Sequence, residues 1–290
     1  MRPTVADATN GLVLLDKEPG RTSFQALYPV KRLYGNSVGH TGTLDSFAEG
    51  LLVVLVGKFT KFNPLFTAFD KVYEADFTFG AETATLDPEG EVVFSGTPPA
   101  DGLLALANQF VGPLMQVPPD YSAVHVQGRR ASDRVRDGQS LDLPPRPVTV
   151  HSLDILAWKN PVLTVRIHCS KGTYVRSIAR DWGRASGHGA HVTRLRRLRV
   201  GPFALPEAGP MEFKDSRWTL DTLGIPVVAV PEGSVGPVLN GRDPGAFVPG
   251  LAGLVDGRAG LEGPDGRLLA VLEKEGPRWT YLFVDRGAPM

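Results

Sequence analysis

Residues 39–56 of this 290-residue chain have the sequence GHTGTLDSFAEGLLVVLV, a loop rich in glycine and threonine followed by an apolar run. The run at 51–56 is too apolar to lie at a surface, and it predicts a buried strand. Glycine leaves room for a ligand to approach the backbone closely. Asp45 therefore lies where a rigid scaffold meets a shaped pocket, either as a nucleophile or general base or as a cap of a following helix.

The segments on either side of this loop alternate between strand and helix patterns. Residues 11–17 form a short apolar run closed by the turn signal of residues 18–20, which predicts a strand, and a helix is predicted to start at Thr22-Ser23 and run toward Leu33. Alternation over 72–79 and 163–169 predicts two half-buried strands. Residues 87–90 predict a hairpin turn, and residues 101–110 an amphipathic helix.

The overall composition is close to that of an average globular protein. Lys+Arg and Asp+Glu are balanced at 31 each, and hydrophobic residues make up 42% of the chain. Disordered, collagen-like and coiled-coil classes are therefore excluded. One cysteine cannot form an internal disulfide, and no apolar run reaches membrane-spanning length, so we expect a cytoplasmic protein.

The zero net charge is an average over unlike segments. Residues 121–200 carry 15 Lys/Arg and 5 Asp/Glu, a net charge of +10, which the flanking segments offset. If Thr173 caps a helix, then Arg176, Arg180 and Arg184 share one face at four-residue spacing. Such a stripe is either a footprint for a polyanion or an ordinary solvated face.

The pattern changes after about residue 205. Apolar runs of four to six residues then alternate with turns such as Asn240-Gly241 and Asp256-Gly257. Short strands at this spacing predict a small β-barrel or sandwich, with a domain boundary between 205 and 225.

Five segments in order resemble the motifs of the TruB family of bacterial tRNA pseudouridine synthases. The loop at 39–52 resembles the family's catalytic motif. The other four segments resemble its N-terminal motif (11–23), its tyrosine motif (71–87), its central segment (118–131) and its arginine motif (169–177). The resemblance covers roughly residues 11–205. It implies an α+β pseudouridine synthase fold: a mixed, largely antiparallel central sheet with flanking helices over 1–222, and a small β-barrel-like PUA domain over 223–290.

The resemblance also implies roles for individual residues in the isomerisation of uridine 55 in the T arm of tRNA. Asp45 matches the catalytic aspartate, Arg176 the arginine that pairs with it, and Tyr73 the tyrosine that stacks on the target base. Without the family, Arg176 would be one more phosphate-binding arginine and Tyr73 an ordinary core residue. The aspartate would either add to the uracil ring or bond the sugar carbon, and the sequence leaves both routes open.

Further positions match residues that hold the RNA. His40 matches a histidine inserted where the base has left the stack, although a loop histidine bonded to the backbone is the simpler alternative; Tyr174 and Leu195 match pocket-lining positions. The expected backbone contacts are Arg180, Arg184, Arg194, Arg196 and Arg197. We expect tRNA as the partner of a monomeric protein, and no cofactor. No metal is expected either, because the six histidines show no ligand spacing with acidic residues.

Two other functions stay open, a guide-RNA-dependent synthase and a tRNA-folding chaperone without catalysis. The chain departs from the family at Ser46, where proline is usual, and at His125 and Ser132, which replace lysine and tyrosine. These departures concern the stiffness of the loop and the RNA contacts. The C-terminal part, with a net charge of −4 over residues 201–290, is expected to touch the acceptor-stem side of tRNA through residues such as Arg242 or Arg258.

Overall fold

The computed structural model describes residues 10–99, 103–122, 124–126, 128–137, 142–207, 209–254 and 257–287. Its strands are β1 Gly11–Lys17, β2 Val38–His40, β3 Glu49–Val56, β4 Lys71–Phe79, β5 Ala81–Thr83, β6 Val92–Ser95, β7 Gly112–Gln116, β8 His125–Val126, β9 Arg129–Arg130, β10 Arg146–Lys159, β11 Val162–Cys169, β12 Ala190–Val200, β13 Phe203–Ala204, β14 Met211–Asp215, β15 Val227–Ala229, β16 Gly257–Glu262, β17 Leu268–Glu275 and β18 Arg278–Val284. Its α-helices are α1 Tyr28–Tyr34, α2 Asn63–Thr67, α3 Ala131–Arg136, α4 Val175–Ala185, α5 Ser216–Thr222 and α6 Val235–Leu239.

A single large sheet organises the chain up to residue 215. Its main path has the order β14-β1-β3-β12-β4-β11-β10-β7, with β2 paired to β3 and β13 to β12. The pair β3 and β12 is parallel, and the other pairs are antiparallel. The expected mixed, largely antiparallel sheet with flanking helices is therefore confirmed.

The hydrophobic pattern explains the position of each central strand. Residues 50–56 of β3 are all buried, as a strand covered on both faces requires. In β4 the side chains of Ala75, Phe77 and Phe79 are buried and alternate with partly exposed residues, and β11 shows the same alternation. These three strand predictions are confirmed.

Helix α4 covers the face of the sheet that holds Phe77. Its Trp182 is fully buried, stacks on Phe110 with ring centroids 5.1 Å apart, and donates from Nε1 to the Leu103 carbonyl at 3.1 Å. This packing fixes the start of α4, and with it Arg176, relative to the sheet.

Two predicted helices differ from the observed ones. The segment at 22–33 contains a 3₁₀ turn at Gln25–Leu27 followed by α1, whose first turn contains Pro29. Proline fits there because the first turn of a helix needs no amide donor from it. The helix predicted at 101–110 is a 3₁₀ helix over Leu103–Phe110, and residues 101 and 102 lie outside the described part.

The C-terminal strands form an open sheet, not the barrel or sandwich that their spacing predicts. Strands β15-β16-β17-β18 pair in that order, and within the described residues β15 and β18 are its edges. One face packs on the part of the chain that carries the large sheet, where Phe283 contacts Phe59 and Phe62 at ring distances of 5.7 and 5.6 Å. The other face is covered by a cluster that includes Val238, Val248 and Leu251. Because both faces are covered by other elements, the sheet buries its apolar residues without closing.

The division at 222/223 remains a prediction. Strand β14 ends at Asp215 in the large sheet and β15 begins at Val227 in the small one, yet the two sheets share an apolar core. Among the described residues, no helix is long and apolar enough to cross a membrane.

Candidate active site

The loop between β2 and β3 is held from three directions. Ser23 bonds to both backbone groups of Leu44: its Oγ accepts from the amide at 2.8 Å and donates to the carbonyl at 2.9 Å. The Ser46 carbonyl accepts from the Gly20 amide at 2.8 Å and from Lys17 Nζ at 3.2 Å. Asp45 lies between these anchors, so its backbone is held on both sides.

Arg176 links Asp45 to a second carboxylate. Its Nη2 donates to Asp45 Oδ1 at 3.0 Å, and its Nε lies 2.9 Å from Asp45 Oδ2. On the other side, Nη1 lies 3.3 Å from Asp87 Oδ2 and donates to the Thr85 carbonyl at 2.7 Å. The Arg176 side chain is 5% exposed, whereas that of Asp45 is 37% exposed. The pair is therefore anchored on the protein side and open to an incoming ligand at the carboxylate.

Opposing effects act on the pKa of Asp45. Burial raises the pKa above the usual aspartate range, the neighbouring Arg176 opposes this rise, and Asp87 and Glu89 add to it. The result is a carboxyl with a raised pKa, held beside a guanidinium that favours the ionised form. Acidic residues in such environments are typical of functional sites.

Tyr73 lies on β4 next to the same loop. Its strand neighbour is Arg197 on β12, and burial raises the pKa of Tyr73 while Arg197 opposes the rise. Arg197 is 2% exposed and donates to the carbonyls of Leu51 at 2.8 Å and Gly42 at 3.0 Å. This buried guanidinium therefore joins β12 and β3 to the loop that holds Asp45, beside Tyr73.

The other predicted pocket residues lie around this centre. Leu195 is 6% exposed and belongs to the same apolar cluster as Leu44. Tyr73 packs against this cluster. Tyr174 packs against Val124, and burial raises its pKa. His40 ends β2; burial and Arg197 lower its pKa, and its Nδ1 is buried without a hydrogen-bond partner among the described residues. The backbone-bonded alternative for His40 therefore finds no support at Nδ1.

The start of α4 is held by Gln116 and not by the predicted Thr173 cap. The helix begins at Val175, and its N-cap residue, Tyr174, makes no side-chain capping bond. Instead the Tyr174 amide donates to Gln116 Oε1 at 2.8 Å, and Gln116 Nε2 donates to the Tyr174 carbonyl at 3.1 Å. A side chain from β7 thus satisfies the backbone just before Arg176.

Ser46, the departure from the family pattern beside Asp45, makes a contact that proline could not make. Its hydroxyl lies 2.5 and 2.7 Å from the two carboxylate oxygens of Glu89. Glu89 in turn donates its amide to Asp87 Oδ1 at 3.0 Å. The Asp45 loop and the Asp87 loop are therefore joined twice, through Arg176 and through Ser46. The side chain of His125 lies outside the described residues, and Ser132 lies in α3.

The five arginines expected to bind the RNA backbone divide into two groups. Arg180 and Arg197 are 8% and 2% exposed and donate to backbone carbonyls, so both guanidinium groups bind within the protein, and their expected RNA contacts stay a prediction. Arg184, Arg194 and Arg196 reach the surface. Arg184 pairs with Glu82, Arg194 with Glu49, and Arg196 with both Asp16 and Glu49.

Several residues of the site were missed by sequence reasoning. Asp87 and the buried Lys17 lie in segments that resemble family motifs, but neither was given a role, because their contacts with Arg176 and Ser46 span 89 and 29 positions of the chain. A possible metal-ligand group, Asp70, His151 and His168, was missed for the same reason.

Comparisons with known proteins agree on one family. The model described as TruB family pseudouridylate synthase (N terminal domain) matches residues 31–175, and that of the tRNA pseudouridylate synthase B C-terminal domain matches residues 176–223. The tRNA pseudouridine synthase B of Corynebacterium efficiens is 39% identical, with 96% of each chain covered. That of Borreliella burgdorferi (strain ZS7) is 44% identical, with 69% of this chain and 72% of the relative covered.

A solved structure with the same fold is a chain in the crystal structure of a Cbf5-Nop10-Gar1 complex. The match covers 97% of this chain and 88% of that chain, with a TM-score of 0.66 and 23% sequence identity. At this identity the likeness concerns the fold alone.

Proposed function

This chain belongs to the TruB family of pseudouridylate synthases and is an isomerase, and we propose that it converts uridine 55 in the T arm of tRNA to pseudouridine. The observation that carries the proposal is the Asp45–Arg176 pair, with one carboxylate that is accessible and one guanidinium that is buried. Both relatives are named tRNA pseudouridine synthase B, which supports tRNA as the substrate.

The proposed reaction is balanced within the nucleotide itself. The C–N bond between uracil and ribose breaks, a C–C bond forms between the same two rings, and the proton released from the carbon ends on the freed nitrogen. Asp45 acts as a transient covalent nucleophile, either on the uracil ring or on the sugar carbon. In both routes the ionised carboxylate attacks, so Arg176 serves by favouring that form and by fixing its orientation.

The proposed pocket holds an extruded uridine. Tyr73 and Tyr174 offer aromatic faces and Leu195 an apolar wall, which suit a flipped pyrimidine. His40 would fill the gap left in the RNA stack, and its lowered pKa favours a neutral ring in that apolar position. Arg184 and Arg194 are the exposed arginines that we propose for the RNA backbone, with Arg196 behind them.

The proposal also covers the C-terminal part and its contact with the RNA. We propose that residues 223–290 form a PUA-like unit on the acceptor-stem side, with Arg242 as its exposed cation, whereas Arg258 pairs with Glu273. The proposal includes a monomeric enzyme in the cytoplasm. Gel filtration with and without tRNA tests the stoichiometry.

The direct test is to incubate the protein with an unmodified tRNA transcript and to map pseudouridine. Conversion at position 55 is expected, with none for Asp45→Asn, which keeps the size of the side chain and removes the nucleophile. If Asp45→Asn converts uridine as fast as the parent, the nucleophile assignment is wrong. Arg176→Lys is the second variant: it keeps the charge and loses the planar fork, and it should lower the rate by about 100-fold.

The same assay separates the two alternative functions. A guide-RNA-dependent enzyme would leave a bare T-arm stem-loop unmodified, whereas the proposed enzyme converts it without any added RNA or protein. A chaperone without catalysis would bind the transcript and yield no pseudouridine. The intact set of Asp45, Tyr73 and Arg176 supports catalysis.

A further inference from the structure

Three potential metal ligands converge on the large sheet, away from Asp45. Asp70 immediately precedes β4, His151 lies in β10 and His168 in β11. One ligand atom from each lies within 4.8 Å of the other two. The residues are 81 and 17 positions apart along the chain, and only the pairing of these strands brings them together.

The distances suit a small cation. Asp70 Oδ2 lies 3.1 Å from His151 Nε2 and 3.9 Å from His168 Nε2. Ligand atoms about 2.1 Å from a tetrahedral zinc ion are about 3.4 Å apart. The two imidazole nitrogens lie within 4.8 Å of each other. Side-chain rotations that move each ligand atom by about an ångström or less would therefore bring the three atoms into one coordination sphere.

The strand pairing places His151 and His168 on the same face of the sheet. Val150 and Cys169 pair with each other and are both buried, so the adjacent residues His151 and His168 point to the opposite face. A β-bulge follows, because the register shifts between Val150 and Ser152, and Ser152 is the residue that pairs with His168. Bulges are often found near functional sites. Here the two imidazole rings lie 4.7 Å apart.

The charges around the cluster permit a cation. Asp70 and His168 line a cavity of about 360 Å³ together with Asp154, Arg166 and Arg199. Arg166 is neutralised by Glu74, to which its Nη2 donates at 2.6 Å. The Asp70 and Asp154 carboxylates therefore face one uncompensated guanidinium, Arg199, within this lining.

The cluster is separate from the isomerase site. Val72 lines the cavity, whereas the next residue, Tyr73, packs into the apolar cluster beside Leu44. Adjacent residues of a strand point to opposite faces of the sheet. The cavity and the Asp45 pocket thus lie on opposite sides of β4.

We propose that Asp70, His151 and His168 bind a divalent transition-metal ion, with zinc as the first choice. Two imidazoles and one carboxylate are ligands that zinc accepts, and the remaining positions stay open for water or an anionic oxygen. The ion would cross-link the start of β4 to β10 and β11. It stabilises this edge of the fold and takes no part in the isomerisation.

The test is calorimetric titration of metal-free, tag-free full-length protein with zinc chloride, repeated with cobalt to record the visible spectrum. One ion per chain is expected, with the intense absorption of a tetrahedral or five-coordinate cobalt site. Asp70→Asn, His151→Gln and His168→Gln should each weaken zinc binding by more than about tenfold.

Asp154→Asn is the matched control, because it removes the same charge from the same cavity without removing a ligand. Its zinc affinity should stay near that of the parent. Equal losses in Asp70→Asn and Asp154→Asn would mean that the cavity only attracts cations, and would overturn the site. Absence of saturable zinc and cobalt binding in the parent would overturn it as well. Isomerase activity should be the same in the parent and in Asp70→Asn, with or without a chelator, so this outcome is independent of the proposed reaction.

Discussion

At the scale of single residues, the side chains that surround Asp45 differ in how visible they are in the sequence. Asp45, Tyr73 and Arg176 lie in motifs that can be matched to a family. Asp87 and Lys17 lie in such motifs as well, but they and Glu89 act through contacts that form only when distant segments fold together. Ser46 was visible as a departure, and a less rigid loop was expected from it. The observed bond to Glu89 provides a tether in place of the stiffness of proline.

The Ser46–Glu89 contact predicts different rates for two substitutions of Ser46. Ser46→Ala removes the tether and should slow single-turnover conversion several-fold, whereas Ser46→Pro, which stiffens the loop covalently, should retain most of the rate.

Glu89→Gln removes a negative charge that raises the pKa of Asp45. The proposed nucleophile is the ionised form of Asp45, which is lost as the pH falls through this pKa. The acid limb of the rate should therefore move to lower pH in Glu89→Gln. An acid limb that stays in place in Glu89→Gln would contradict the coupling.

Lys17 predicts an alkaline limit to activity. Its buried ammonium donates to the carbonyls of Glu18, Arg21 and Ser46, and burial lowers its pKa to about 8. Below pH 8 the charged group has three donors for three carbonyls, and above it the neutral amine has two. The Asp45 loop should therefore loosen, and the single-turnover rate should fall, as the pH rises through about 8.

Lys71 provides the control for this assignment. Burial also lowers its pKa to about 8, but its ammonium donates to the carbonyls of Thr67 and Phe69, which lie outside the Asp45 loop. Lys71→Met should keep the alkaline limb, and Lys17→Met should abolish it together with much of the rate. A limb that disappears with Lys71 instead would show that the wrong lysine was chosen.

At the scale of elements, patterns that depend on burial were predicted well and patterns that depend on partners were not. The apolar run of β3 and the alternation of β4 and β11 follow from where water is excluded, and the sequence carries that information directly. The start of α4 depends on Gln116, 58 positions away in β7, and no local rule selects it over Thr173. The open C-terminal sheet was missed for a similar reason, since its apolar faces are covered by other elements.

Gln116 therefore predicts a measurable contribution to the stability of α4. Gln116→Ala removes both bonds to Tyr174 and should lower the free energy of unfolding by about 1 kcal/mol, as the loss of a helix cap does. It should also reduce the conversion rate, because Arg176 lies in the first turn. Thr173→Ala is the control, expected to change stability by less than about 0.5 kcal/mol in urea unfolding. The reverse ranking of the two variants would restore the Thr173 cap.

At the scale of the whole molecule, the segmental charge has a different meaning in three dimensions. The net charge of +10 over residues 121–200 suggested a broad footprint for a polyanion. Much of it is compensated by carboxylates from the first 120 residues, since Arg176 pairs with Asp45 and Asp87, Arg184 with Glu82, and Arg194 with Glu49. The family resemblance therefore supports an RNA partner more strongly than the charge count does, because a count along the chain cannot include pairing across the sheet.

This pairing predicts which arginines affect tRNA binding. Arg184 and Arg194 have side chains 62% and 47% exposed, so each is free to exchange its carboxylate for a phosphate. Arg184→Ala and Arg194→Ala should each weaken binding and reduce the slope of log affinity against log salt by up to about 1. Arg217→Ala, which removes an exposed arginine paired with Asp221 and Glu262 in the C-terminal part, is the matched control and should leave the slope unchanged. Equal slopes for all three variants and the parent, measured by filter binding over a salt series, would mean that the backbone contacts lie elsewhere on the surface.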